Sequence, residues 1–171
     1  MMQGDRVMLR PMEKADTDDV LRMRGNPEVL AQLFSDEPPT REGHLRWLEQ
    51  TQAQGVRQEF MVVERATGRS IGTIGLNHID ARHNRAEFGI LIGDAKARGK
   101  GLASEASRLL FDYAFNKLGL HRLYLHVFPD NKPALHLYRK LGFIQEGLLR
   151  RHVVKNGEHR DVVVMALLRG A

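Results

Sequence analysis

With 171 residues and no cysteine, the chain is long enough for one domain with a full hydrophobic core, and it cannot use disulfides, thiolate metal sites or an acyl-cysteine intermediate. A hydrophobic fraction of 42% and a charged fraction of 27% exclude a disordered or fibrous chain. The net charge of +5 and pI near 9.8 suit an anionic partner: nucleic acid, an acidic surface or a polyphosphorylated cofactor.

In chain order, Val7 to Pro11 alternates as a short strand does, and Ala15 to Gly25 carries Val20, Leu21 and Met23 at helical spacing until Gly25-Asn26-Pro27 stops it. After Pro38-Pro39, Thr40 reads as the N-cap of a helix with Leu45, Trp47 and Leu48 on one face, ending near Gly55. Phe60 to Glu64 and Ser70 to Asn77 read as strands joined by Ala66-Thr67-Gly68-Arg69, and Arg85 to Ile92 continues the meander. Leu102 to Leu118 is apolar at helical spacing and is stopped by Gly119. Arg122 to Phe128 reads as a strand and Asn131 to Leu141 as a helix. Phe143 to Leu149 and His152 to Leu168 close the chain as strands around Lys155-Asn156-Gly157. Antiparallel strands followed by a strand–helix–strand–helix half predict one α/β domain over 1–171, with a mixed sheet of about seven strands and about four helices. No apolar run approaches the roughly 20 residues of a membrane helix, and MMQGDRVMLR has no apolar signal core, so a cytoplasmic protein is expected.

The strongest local signal is Arg98-Gly99-Lys100-Gly101-Leu102-Ala103, between a predicted strand and a predicted helix. Glycines there let backbone amides turn toward one point, and a helix start adds free N–H groups and the positive dipole end, as a pyrophosphate requires. The plain reading is a tight connection with solvated basic residues. There is no GxGxxG and no Gly-Lys-Ser/Thr ending. Some thirty residues on, Asn131 is a good N-cap, Pro133 suits a first turn, and Leu137 with Leu141 packs the helix down. Tyr138 then stands near the edge of the buried face, where the plain reading is an amphipathic tyrosine with its hydroxyl at the surface.

RGKGLA resembles the acetyl-CoA signature of the GNAT (GCN5-related N-acetyltransferase) superfamily, and NKPALHLYRKLGF resembles its Asn-x-x-Ala-x-x-x-Tyr-x-x-x-Gly-Phe helix, both in the family's order and spacing. The similarity runs from about Arg6 to Leu168. It is nearest to the bacterial branch holding ribosomal-protein N-terminal acetyltransferases and spermidine acetyltransferases, which Asn77-His78 and Arg85-Ala86-Glu87-Phe88 also resemble. Ala97 departs from the aromatic that relatives often carry, which implies altered packing of the loop.

The resemblance implies that Arg85 to Ile92 and Arg122 to Phe128 run parallel but splay apart, with the pantetheine arm of acetyl-CoA in the gap. The amides of Arg98, Gly99, Lys100, Gly101, Leu102 and Ala103 would hold the pyrophosphate, and Asn131 and Lys132 would lie near the pantetheine and adenosine end. It places Tyr138 beside the sulfur. Reference pKa values of about 10 for tyrosine and about 8.5 for a thiol make full proton transfer uphill by roughly 2 kcal/mol, so a strengthening hydrogen bond is the expected role; an apolar site is expected to narrow that gap. Glu87 is the only carboxylate on its strand and the candidate base, either raised by burial or acting through water; the plain reading pairs it with Arg85 or Arg122. A homodimer or larger homo-oligomer is implied, and neither a membrane nor a nucleic acid is expected as a partner.

The eight histidines form no metal set, since His121 and His126 differ by an odd number along a strand and His78 and His83 flank a loop without acidic company. His78 borders the expected acceptor site. Asp36 and Glu37, with Glu42, resemble the acidic segment of spermidine acetyltransferases, interrupted by Pro39 and Arg41. At pH 7 about a tenth of a peptide α-amine is neutral, against well under a thousandth of a polyamine amine. The sequence therefore ranks a peptide α-amine or an amino sugar ahead of a polyamine as acceptor. A basic nucleic-acid binder and a catalytically silent acyl-CoA-binding module are the alternatives from other classes; no recognition helix or aromatic–basic interleaving favours the former.

Overall fold

The computed structural model describes all 171 residues. Its strands are β1 (Met2–Gln3), β2 (Val7–Pro11), β3 (Gln58–Glu64), β4 (Arg69–Asp80), β5 (Arg85–Ile92), β6 (Arg122–Val127), β7 (Ile144–Lys155) and β8 (Glu158–Leu168). The helices are α1 (Thr17–Gly25), α2 (Pro27–Leu30), α3 (Arg41–Gln54), α4 (Leu102–Asp112) and α5 (Lys132–Lys140). One sheet of eight strands runs β1-β2-β3-β4-β5-β6-β8-β7, and only β5 and β6 are parallel.

Period-two alternation separates the two faces of this sheet. Phe60 and Val62 of β3 join the main core with Val7 and Leu9 of β2, while Met61 and Val63 point the other way into a smaller cluster with Val20, Met23 and Leu48. The main core is completed from α4 by Leu102, Ala106 and Leu110 and from α5 by Leu135 and Tyr138, so α4 and α5 cover one face and α1 and α3 the other. Each buried Val, Leu, Phe or Met among them contributes about 1.5–3 kcal/mol on burial.

Local signals set the helix ends. Thr40 Oγ1 accepts from the Gly43 N–H at 3.0 Å, and Gly55 ends α3 in the left-handed conformation. The α1 entry is clamped to β2 by buried Asp16, which accepts from the Arg10 guanidinium at 2.7 and 2.8 Å and from the Glu13 N–H at 2.8 Å.

Four elements differ from expectation. One is the short helix α2, capped by Asn26 with Pro27 in its first turn, in a segment expected only to stop α1. The two-residue β1 adds an edge too short for a periodic signal. The helix begun at Leu102 changes to π-helical geometry over Tyr113–Lys117, with Leu118 N–H bonded back to Tyr113 O. The break expected after Leu149 lies inside continuous β7, where the register shifts between Leu149 and Val153 and Arg151 has a φ of +50°.

Candidate functional site

The parallel pairing of β5 and β6 is confined to Arg85–Arg122, Ala86–Leu123 and Glu87–Tyr124; beyond Glu87 the strands part. Glu87, Tyr124 and His126 share one face there, while Ala86, Phe88, Leu123 and Leu125 face the main core. The expected splay is therefore present, and Glu87 stands where it opens.

Glu87 does not pair with arginine. Arg85 lies by Asp80 at 3.6 Å and Arg122 by Glu146 at 2.5 Å. Instead, His78 Nδ1 lies 3.1 Å from Glu87 Oε2 and His126 Nδ1 lies 3.2 Å from Oε1. His78 thus has the acidic company that the sequence reading denied it. The cause is a register irregularity between Asn77 and Asp80 that holds His78 at a φ of +49°. Burial alone would raise the Glu87 carboxyl, but the hydrogen bonds and charge of His126 and His78 outweigh it and hold the group below its usual value. The carboxyl is thus lowered rather than raised, opposite to one of the two expected ways for Glu87 to serve as base.

The residues expected to hold a pyrophosphate form a connected turn. After the 3-10 turn Ala95–Ala97, in which Ala97 is buried, Gly99 and Gly101 take φ of +74° and +78°, a region that penalises any side chain. Gly101 is the N-cap of α4, and the first intrahelical bond runs from Glu105 N–H to Gly101 O. The amides of Leu102, Ala103 and Ser104 precede that bond, leaving them without helix partners. Lys100 O accepts from Arg6 at 2.6 Å, while Glu105 accepts from the Arg6 and Val7 N–H groups at 2.7 and 3.2 Å, so β2 braces the loop. The Arg98 guanidinium rests 3.1 Å from exposed Glu28, a pair that solvent weakens.

In α5, Asn131 Oδ1 caps the Ala134 N–H at 3.3 Å and Pro133 occupies the first turn; Lys132 is exposed. Leu135 and Tyr138 are the buried side chains, whereas Leu137 and Leu141 are half-buried, so Tyr138 lies further inside than the sequence placed it. Its ring packs edge-on against Phe88 and Phe143 at centroid distances of 6.4 and 5.8 Å, and its hydroxyl makes no hydrogen bond within the protein. Burial pushes the hydroxyl up to about 12. The gap to a thiol near 8.5 thereby widens to roughly 5 kcal/mol, opposite to the narrowing expected, and a hydrogen-bonding role remains. Tyr138 packs on Phe88, on the face of β5 opposite to the one that carries Glu87.

A cleft of about 170 Å³ opens beside Glu87, bounded by Asn77, Phe88 and Leu33 and also by Arg24, Arg57 and Glu59, which the sequence reading passed over. Burial raises the Glu59 carboxyl despite Arg57 at 2.8 Å. Arg24 is largely enclosed, its pKa lowered by burial, and its side chain makes no hydrogen bond or ion pair within the protein. The larger hollow, about 440 Å³, shares Lys100 and Leu102 with the loop and contains no part of the Glu87 network. Asp36 accepts from the Asn156 N–H at 2.8 Å at the β7–β8 turn, and neighbouring Lys155 donates to Leu30 O and Ser35 O at 2.9 and 2.7 Å. That segment borders the cleft through Leu33, while Glu37 is exposed and unpaired. No group of three or more histidine or acidic side chains is arranged to hold a metal ion.

Residues 6–144 match the family described as "Acetyltransferase (GNAT) domain". The spermidine N(1)-acetyltransferase of Escherichia coli (strain K12) is 36% identical over 169 residues, covering 99% of this chain and 89% of its own. The crystal structure of spermidine N-acetyltransferase from Vibrio cholerae in complex with CoA and spermine superposes with a TM-score of 0.89 at 30% identity, covering 97% of each chain. A dodecameric structure of the Vibrio cholerae enzyme superposes with a TM-score of 0.81 at 31% identity, covering 97% of this chain and 95% of that one.

Proposed function

The chain belongs to the GNAT acetyltransferase family and is an acetyl-CoA-dependent N-acetyltransferase, and from that premise we propose that its acceptor is a polyamine of the spermidine type. The observation that carries the acceptor is the likeness to spermidine acetyltransferases along essentially the whole chain, which includes the segment beside the Glu87 cleft. This reverses the ranking drawn from neutral fractions, because an enzyme that deprotonates its acceptor escapes that penalty.

In this reading the amides from Arg98 to Ala103 hold the pyrophosphate at the start of α4, with Asn131 and Lys132 toward the pantetheine and adenosine. The splay receives the acyl arm, where the edges of β5 and β6 lack each other's ladder bonds. Tyr138 Oη hydrogen-bonds the departing sulfur as charge gathers there, and Glu87, with His78 at the cleft rim, faces the amine. Asp36 and Glu37 supply negative charge near the same cleft.

A second reading rests on Arg24. An enclosed guanidinium that makes no hydrogen bond or ion pair, with the charge of Glu59 in the same cleft but shared with Arg57, favours an acceptor with a carboxylate beside its amine, such as a peptide or an amino acid. Steady-state release of coenzyme A with spermidine, spermine, alanine-terminated peptides, free amino acids and amino sugars separates the two. The proposal expects the highest kcat/KM for a polyamine. A carboxylated acceptor ahead of spermidine, with Arg24→Gln abolishing that preference, would replace it with the second reading.

Self-association belongs to the same proposal. β7 is an edge strand that exposes Ile144, Leu148 and Val154. Light scattering on the purified protein is expected to give an oligomer; a monomer at assay concentration would refute it.

A further inference from the structure

We propose that the general base is His126, with Glu87 as the residue that orients it: the carboxylate takes the His126 Nδ1–H and leaves Nε2 free to accept a proton from the acceptor amine. This deepens the acetyltransferase reading and holds for any amine acceptor.

The geometry distinguishes His126 from the other groups in reach. It is two residues beyond the last parallel pair, Glu87–Tyr124, on the same face and at the start of the gap. Its Nδ1 is engaged by Glu87 Oε1 at 3.2 Å, and Nε2 has no hydrogen bond within the protein. Its side chain is 22% exposed, against 67% for His78, which meets the other carboxylate oxygen from the rim. The groups facing His126 are Glu87 from β5, Tyr124 on its own strand at a centroid distance of 6.0 Å, and His152 from β7, whose ring lies parallel at 6.1 Å; Val164 is its register partner on β8. A carboxylate fixing one imidazole nitrogen so that the other serves as base is a recurrent catalytic arrangement.

Base strength points the same way. An ordinary carboxylate falls about six pK units short of a primary ammonium group and an ordinary imidazole about four. Glu87 is displaced further in the wrong direction by its two histidines. In the proposed step, His126 Nε2 takes one proton from the ammonium group, and the neutral nitrogen attacks the acetyl carbonyl carbon. The C–N bond forms, the C–S bond breaks, and the second nitrogen proton leaves with the sulfur as the thiol. His126 then returns its proton to solvent.

The test compares wild type, His126→Gln, Glu87→Gln and His126→Ala in kcat and kcat/KM from pH 5.5 to 9.5, with acetyl-CoA affinity measured by calorimetry. His126→Gln is expected to lose about 100-fold or more in kcat near neutral pH and to have its rising limb moved up to the acceptor amine's own ionisation, since a positioned base contributes at least that much and without it only the neutral amine reacts. Glu87→Gln is expected to lower kcat while keeping the limb well below the amine's own ionisation, because the imidazole remains but is no longer held by the carboxylate. Added imidazole is expected to rescue His126→Ala. Wild-type turnover in His126→Gln, or a limb moved up to the amine's own ionisation in Glu87→Gln and unmoved in His126→Gln, overturns the assignment. Affinity for acetyl-CoA within about twofold of wild type certifies that each variant is folded; a wild type that fails to bind acetyl-CoA would instead refute the acetyltransferase reading.

Discussion

Tyr138→Phe separates the catalytic from the structural account of that tyrosine, because the two predict opposite combinations of stability and rate. The ring contacts with Phe88 and Phe143 survive the substitution, and the hydroxyl removed has no partner within the protein. An unpaired buried hydroxyl costs about 1–3 kcal/mol, partly relieved here because the oxygen is not fully enclosed. The variant should therefore match wild type or gain up to about 1 kcal/mol, a Tm rise of roughly 2–4 °C in a chain of this size. Turnover should fall about 10- to 1000-fold, or roughly 1.4–4 kcal/mol, with little change in acetyl-CoA affinity, since the hydroxyl acts only as charge gathers on sulfur. A pH signature accompanies this. The folded value of about 12 lies above the ordinary 10.0, so the associated stability is complete below pH 10 and lost as pH rises toward 12; the variant should lack that loss. Calorimetric melting from pH 7 to 11.5 and steady-state kinetics supply both halves. An unchanged kcat, or a Tm lowered by several degrees, would return Tyr138 to packing alone.

Replacing both Gly99 and Gly101 with valine should weaken acetyl-CoA binding about 100-fold or more in calorimetry while the chain still melts cooperatively, because side chains would strain two left-handed residues and crowd the approach to the amides. Undiminished affinity would remove the phosphate-loop assignment. Asp16→Asn should cost roughly 1.5–3 kcal/mol at pH 7, since the carboxylate bonds a guanidinium and a backbone N–H. Burial raises the Asp16 carboxyl, but the hydrogen bonds and charge of Arg10 and the Glu13 amide prevail and hold it below 3.8. Its stabilisation is thus present above that value and lost as pH falls through the lower folded one, so urea melts of wild type and variant should converge as the pH is taken down through the folded value. Parallel curves at every pH would show that Asp16 is not coupled to folding.

Elements with long, regular periodicity were legible in the sequence: α3, β5 and α5 match expectation within a residue or two at each end, with Thr40 and Asn131 as the caps. The phosphate-loop turn followed from glycine spacing, a local property. The surroundings of Glu87 did not, because they assemble from β4, β5 and β6 and depend on the backbone irregularity at His78, which no periodic pattern encodes. His126 carried a usable signal, alternating with Tyr124 on the strand expected to line the gap, but weighing it only against His121 as a metal ligand hid the carboxylate opposite. Glu59 fell outside a strand begun two residues late, and Arg24 depends on how the end of α1 meets the sheet.

The sheet is stitched across its middle by only three residue pairs. On one side five strands form a continuous antiparallel ladder; on the other, β6, β8 and β7 form a second one. Past Glu87 and Tyr124 each ladder ends in an interior selvage of unpaired amides and carbonyls. An extended molecule bearing its own amide groups can knit these selvages together, so occupancy becomes a matter of mechanical continuity as well as affinity. Amide hydrogens of Phe88 to Ile92 that face the gap should exchange with solvent faster than those bonded to β4, and saturating acetyl-CoA should slow them selectively. By mass action a ligand at 100 times its Kd raises stability by about 2.7 kcal/mol, and that gain should appear as the two ladders ceasing to open independently.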